Sequence, residues 1–139
     1  MDWIVTLNAV ASGFAGVAAG ASYVGAVVAP NAQFDELDYS RADKQTREVL
    51  RRTSPVAAIA CALAAVLAAL GQAPGGAVIC AISAFGFALN MWTLSPKKER
   101  PLPPGVRNRH KTRRIAAVYL TLMFCMTTIT AAVLCGLGI

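Results

Sequence analysis

All thirteen lysines and arginines of this chain fall in two short stretches, residues 41–52 and 97–114. Residues 3–34, 53–96 and 115–139 carry no charged side chain at all. A water-soluble helix needs a polar stripe along its exposed face, and these runs have none. Charged residues make up 14% of the chain, against about 25% in an average soluble protein. The chain is too poor in charge to coat a globule in water, so lipid is the solvent it is built for. The net charge of +6 is local: five cations balance five acids over residues 31–53, whereas residues 97–114 hold eight cations and only Glu99.

An apolar helix needs about 20 residues to cross the hydrocarbon. Span one is predicted over about 3–29, with Trp3 as an interfacial anchor and Pro30 as the stop. Ala19-Gly20-Ala21 resembles a cleavage site, but the only charge before the apolar run is Asp2. A signal peptide wants a positive start, so an uncleaved span is expected. Residues 55–94 are too many for one crossing, and Gly71-Gln72-Ala73-Pro74-Gly75-Gly76 divides them. This gives span two at about 55–71 and span three at about 76–95, with Ser54 as N-cap and Pro55 as the first helical residue. Span four is 115–139. The fold predicted is an all-α, four-helix transmembrane bundle in one domain, with loops at 30–54 and 96–114.

Basic residues near span ends stay on the cytoplasmic side. Both long loops are therefore expected in the cytoplasm and both termini outside, and the Ala-rich composition fits a bacterial inner membrane. Ser40 and Asp43 look like a helix start, so a helical extension leading into span two and bent at Pro55 is anticipated. Pro96, Pro101, Pro103 and Pro104 oppose helix until about Asn108.

Helices in lipid associate through small residues and interhelical hydrogen bonds. Span one offers Ser12, Gly16 and Gly20 at four-residue spacing, and a second row of Ala21, Gly25 and Ala29. Span two offers Ala57, Cys61, Ala64 and Ala68, and span three Cys80, Ser83, Phe87 and Asn90. Span four offers Thr121, Cys125, Thr128, Ala132 and Cys135. These rows are read as bundle interior. Asn90 needs a Thr or Ser partner, because an unpaired buried amide costs roughly 2–7 kcal/mol, whereas Asn8 is expected to be hydrated.

No Asp, Glu, Lys, Arg or His lies within a span, which disfavours proton relays, ion coupling and voltage sensing. The single His110 and the scattered cysteines supply no metal or haem ligand set, and no cofactor is implied. Cys80 and Cys135 share a depth, so a disulfide between them is geometrically open; free buried thiols are the favoured state. Lys97, Lys98, Arg100, Arg107, Arg109, Lys111, Arg113 and Arg114 form a basic stretch read as contacting anionic lipid headgroups or an acidic protein. Nucleic acid is disfavoured, since no aromatic accompanies these cations.

Phe14-Ala15-Gly16, Gly20 and Val27-Val28-Ala29-Pro30 resemble the first span of small four-helix membrane proteins of the anthrone-oxygenase-like family. The resemblance covers about twenty residues and implies a four-span fold. It would also allow a cofactor-free oxygenase-like enzyme acting on an apolar substrate near Asn90, Thr121 and Thr128. It carries over no catalytic residue: Ser95-Pro96-Lys97 departs from the family's Pro-Thr-Asn-like segment. The residues themselves favour an accessory or scaffold subunit packed against a larger membrane complex. An oligomeric small-molecule carrier is the remaining alternative.

Overall fold

The structure is a computed structural model, and residues 2–36, 39–94 and 107–139 are described. Among them no strand occurs. Helix α1 (Asp2–Tyr23) runs through a π-helical segment (Val24–Val28) into α2 (Ala29–Glu36); α3 (Tyr39–Leu70), α4 (Pro74–Leu94) and α5 (Arg107–Leu137) follow. Four stretches, Trp3–Gln33, Lys44–Leu70, Pro74–Trp92 and Ile115–Leu137, are long and apolar enough to cross a membrane.

Two prolines behave differently from expectation. Span one does not stop at Pro30. A proline lacks an N–H and its ring collides with the carbonyl four residues back, but the chain widens into a π turn just before it. The Ala29 N–H reaches the Val24 carbonyl, so the helix absorbs Pro30 and continues to Glu36. Nor does Pro55 begin a helix: it lies inside α3. The Ser54 hydroxyl therefore does not cap forward but donates back to the Leu50 carbonyl at 2.7 Å, while Thr53 donates to Val49 at 3.0 Å. Most of the stretch expected as the first loop is thus helix, with Thr46 of α3 donating to Gln33 of α2 at 3.0 Å. The capping role expected of Ser40 and Asp43, and most of the second loop, lie outside the described side chains and residues.

The tight turn forms where Gly and Pro placed it. Gln72 takes a left-handed φ of 57°, and Pro74 opens α4. Neighbours around the bundle run α1–α3–α4–α5 and back to α1, each antiparallel to the next, with α1 and α4 on one diagonal and α3 and α5 on the other.

Depth along the bundle can be read from cross-helix contacts. At the turn end, Asn8 lies against Gly71 and Gly138, and the Gly76 N–H donates to Ile139 at 3.0 Å. Next come Ser12 with Ala132, Ser83 with Thr127, Cys125 with Ala19, and Asn90 with Thr121. Ala26, Leu50 and Ala117 share one buried cluster at the opposite end. From Ala117 to Leu137 the helix climbs about 30 Å at about 1.5 Å per residue, the thickness of a bilayer's hydrocarbon.

Candidate functional site

The interior is built from three of the predicted rows. Ala57, Cys61, Ala64 and Ala68 on α3 are all buried, as are Cys80, Ser83, Phe87 and Asn90 on α4. On α5, Thr121, Cys125, Thr128 and Cys135 are buried; Ala131, not Ala132, completes the row, and Ala132 is half-buried.

Polar side chains inside the bundle are used on one another. Asn90 Nδ2 donates to Thr121 Oγ1 at 2.8 Å, and the Thr121 hydroxyl in turn donates to the Ala117 carbonyl at 2.7 Å. Thr127 donates to the Phe124 carbonyl at 2.9 Å, so Ser83 is the donor in the 2.8 Å Ser83–Thr127 bond. Thr128 and Ser22 donate to carbonyls of their own helices, at 2.8 and 2.6 Å. The Asn90 amide nitrogen thus has the threonine partner expected of it. Asn8 departs from expectation. Expected to be hydrated, it is 7% exposed, and its Oδ1 is buried without a hydrogen-bond partner.

Sequence reasoning missed Thr127 and Gly86. Gly86 lies so close to the Phe124 ring that a Cβ there would collide with it. Its position, between Ser83 and Asn90 on the buried side of α4, was the available signal. All four cysteines are buried free thiols. Cys80 and Cys135 do come together, in one cluster with Ala64 and Ala68, and Gly76 abuts Cys135. Among the described residues no group of three or more His, Cys, Asp or Glu is placed to hold a metal ion.

Span one needs the main correction. Its interior row is Asn8, Ala11, Ala15, Ala18 and Ser22. Gly16 and Gly20, read as interior, are exposed on the outside of the bundle, as is Gly13, and nothing lies within 4 Å of where a Cβ would stand on any of the three. Both rows are small, and nothing in α1 alone distinguishes them. Ser12 sits on the border, donating to the Ala132 carbonyl at 2.8 Å. Gly25, by contrast, is buried, with Thr53 Oγ1 2.7 Å from its would-be Cβ.

Between α1 and α5 the outer surface forms a groove of about 570 Å³, floored by Ser12, Gly16, Ala19, Ala132 and Gly136 and walled by Ile129, Val133 and Leu137. Ile129, Val133 and Leu137 are each about half-exposed. Its lining is apolar apart from the Ser12 hydroxyl, which is donated to the Ala132 carbonyl.

Of the basic residues singled out, Arg107, Arg109, Lys111, Arg113 and Arg114 fall on the first turns of α5. Lys97, Lys98 and Arg100 lie outside the described residues. No protein-family model, curated protein or solved structure matches the chain.

Proposed function

We propose that this chain is an accessory or scaffold subunit of a larger membrane complex, and that the outer face of α1 is where its partner helix docks. The observation that carries this reading is the outward row of Gly13, Gly16 and Gly20 beside the groove floored by Ala132 and Gly136. Small residues in lipid are useful where backbones approach closely, yet among the described residues nothing lies within 4 Å of where a Cβ would stand on Gly13, Gly16 or Gly20. Glycine in a helix interior costs roughly 0.5–1 kcal/mol relative to alanine, a cost that the isolated bundle does not recover there.

The interior polar groups support the same reading over an enzymatic one. Asn90, Thr121, Ser83 and Thr127 hydrogen-bond across the α4–α5 seam or back to the backbone, and so they work as packing fasteners. Orientation is part of the proposal: the cations face the cytoplasm, both termini face outward, and the membrane is a bacterial inner membrane.

The test is purification from native membranes with a C-terminal tag, comparing wild type with Gly16→Leu/Gly20→Leu. The expected result is a membrane complex that co-purifies with the wild type and is lost from the variant, while circular dichroism and unfolding of the variant bundle are unchanged. A wild type that migrates as a lone monomer in mild detergent overturns the proposal. So does a variant that keeps the complex. Tags on the two termini reporting opposite faces would overturn the orientation.

A further inference from the structure

Aromatic side chains on the outside of the bundle are sorted by depth and by polarity. Among the described residues five are more than half exposed: Trp3 and Tyr23 on α1, Phe85 and Trp92 on α4, and Tyr119 on α5. Trp92 and Tyr119 each stand two residues beyond the Asn90–Thr121 bond, toward the cation end, so they share one level. The Cys125–Ala19 bond ties α1 to the same scale. Tyr23 is four residues from Ala19, and Tyr119 is six from Cys125 in the same direction. At about 1.5 Å per residue, Tyr23 is then about 3 Å in depth from the other two rings. Rings on three helices thus meet one plane.

Trp3 lies at the other end. It precedes Tyr23 by twenty residues of one helix, a rise of about 30 Å, and the hydrocarbon of a bilayer is about 30 Å thick. Phe85 falls between the two levels, seven residues from Trp92 on α4 and about 11 Å toward the turn end. The exposed rings that carry an N–H or O–H therefore mark both ends of the slab, and the exposed ring that carries neither lies within it. An indole N–H or phenol O–H finds no partner in hydrocarbon. At the headgroup boundary it meets water and ester oxygens while the rest of the ring stays in apolar surroundings. Charge keeps to the same limits. Residues 3–23, 53–70, 74–92 and 119–137 carry none, and the first charged residue past Tyr119 on α5 is Arg114, about 8 Å further out.

We infer that Tyr23, Trp92 and Tyr119 form an interaction surface for the headgroup–hydrocarbon boundary of the bilayer at the cation end, with Trp3 as their counterpart at the turn end. Lipid is the partner because the rings point outward from three different helices at one depth, which a planar boundary fits and a single docked helix does not. The surface fixes how deep the bundle sits, and it leaves α2 and the cationic turns of α3 and α5 outside the hydrocarbon. The inference rests on insertion of the bundle in a bilayer and not on the docking of a partner at α1. Trp92 is on α4, and Tyr119 is ten residues, about 15 Å, from Ile129, the nearest α5 residue of the docking groove.

The experiment is tryptophan fluorescence of the full chain in phosphatidylcholine bilayers whose acyl chains are brominated either near the headgroup or near the chain end. Four single-tryptophan proteins are compared. Trp92→Phe keeps Trp3, and Trp3→Phe keeps Trp92; Tyr119→Trp and Phe85→Trp are each made with both native tryptophans replaced by Phe. Trp3, Trp92 and position 119 should be quenched several-fold more by shallow bromine than by deep bromine, and position 85 should show the reverse. Stronger quenching by deep bromine at position 92 or 119 overturns the inference. So does an absence of quenching at those positions while position 85 is quenched, which would mean that protein covers the rings. A shallow profile at position 85 overturns the depth scale and the inference with it. Absence of quenching at all four positions overturns bilayer insertion as well. Unchanged circular dichroism of each variant keeps loss of fold separate from change of depth.

Discussion

Replacing Gly86 by alanine inserts one methyl group where α4 packs against the Phe124 ring of α5. The added Cβ would point into the tip of the Phe124 ring. Phe124 is half-buried and tilted at 56° against Phe87, with ring centroids 5.7 Å apart. To make room the ring must swing outward and give up that pair, worth about 0.5–1.5 kcal/mol, or the two helices must separate. Overpacking of this kind costs about 1–3 kcal/mol. Alanine's better helix propensity returns roughly 0.5–1 kcal/mol. The expected net loss is about 1–2 kcal/mol. Equilibrium unfolding in mixed micelles with increasing dodecyl sulfate would read it as a lower midpoint. The cause is checked by Phe124→Leu, which removes the colliding atoms: the pair should show a coupling energy of about 1 kcal/mol or more. If Gly86→Ala instead stabilises the bundle, as propensity alone would have it, or if Phe124→Leu adds its own loss without coupling, the tight-seam argument is wrong.

Other positions give equally direct tests. Asn90→Ala and Thr121→Val, combined in a double-mutant cycle, should show a coupling of about 0.6 kcal/mol, the average for interhelical hydrogen bonds in membranes, and no more than about 1.7; a coupling near zero would refute the bond. Gly25→Ala should destabilise by about 1–3 kcal/mol because its Cβ meets Thr53 Oγ1 at 2.7 Å. Thr53→Ala should recover part of that loss in the same unfolding assay. The four thiols, each no more than 2% exposed, should resist a membrane-permeant maleimide in the folded protein and react fully after denaturation. Rapid native labelling of Cys80 or Cys135, read by mass, would contradict their burial.

The charge-free runs alone determined that the chain is helical with four apolar helices of crossing length, because lipid allows a spanning backbone only as a helix or a closed barrel, and unbroken apolar runs of about 20 residues suit the helix. The Gly71–Pro74 turn and the interior rows of α3 and α4 were equally legible, from turn residues in the one case and in the other from cysteine, serine and asparagine recurring at helical spacing within apolar runs. The α5 row went astray at one place, between Ala131 and Ala132, where two neighbouring alanines look alike. Tertiary structure alone decided which small face of α1 turns inward. Ala11, Ala15 and Ala18 cluster with the alanines and Cys61 of α3, Cys80 and Phe87 of α4, and Ala131 and Cys135 of α5, leaving Gly13, Gly16 and Gly20 outside. That choice depends on how four helices share one interior, and no single helix encodes it. Pro30 and Pro55 teach the same lesson in backbone terms. Proline removes one hydrogen bond and crowds one carbonyl, and whether a helix stops there depends on what surrounds it. At Pro30 the chain passes through a π turn that includes Gly25, and at Pro55 α3 continues without a break, with the neighbouring Thr53 and Ser54 hydroxyls turned back onto the Val49 and Leu50 carbonyls.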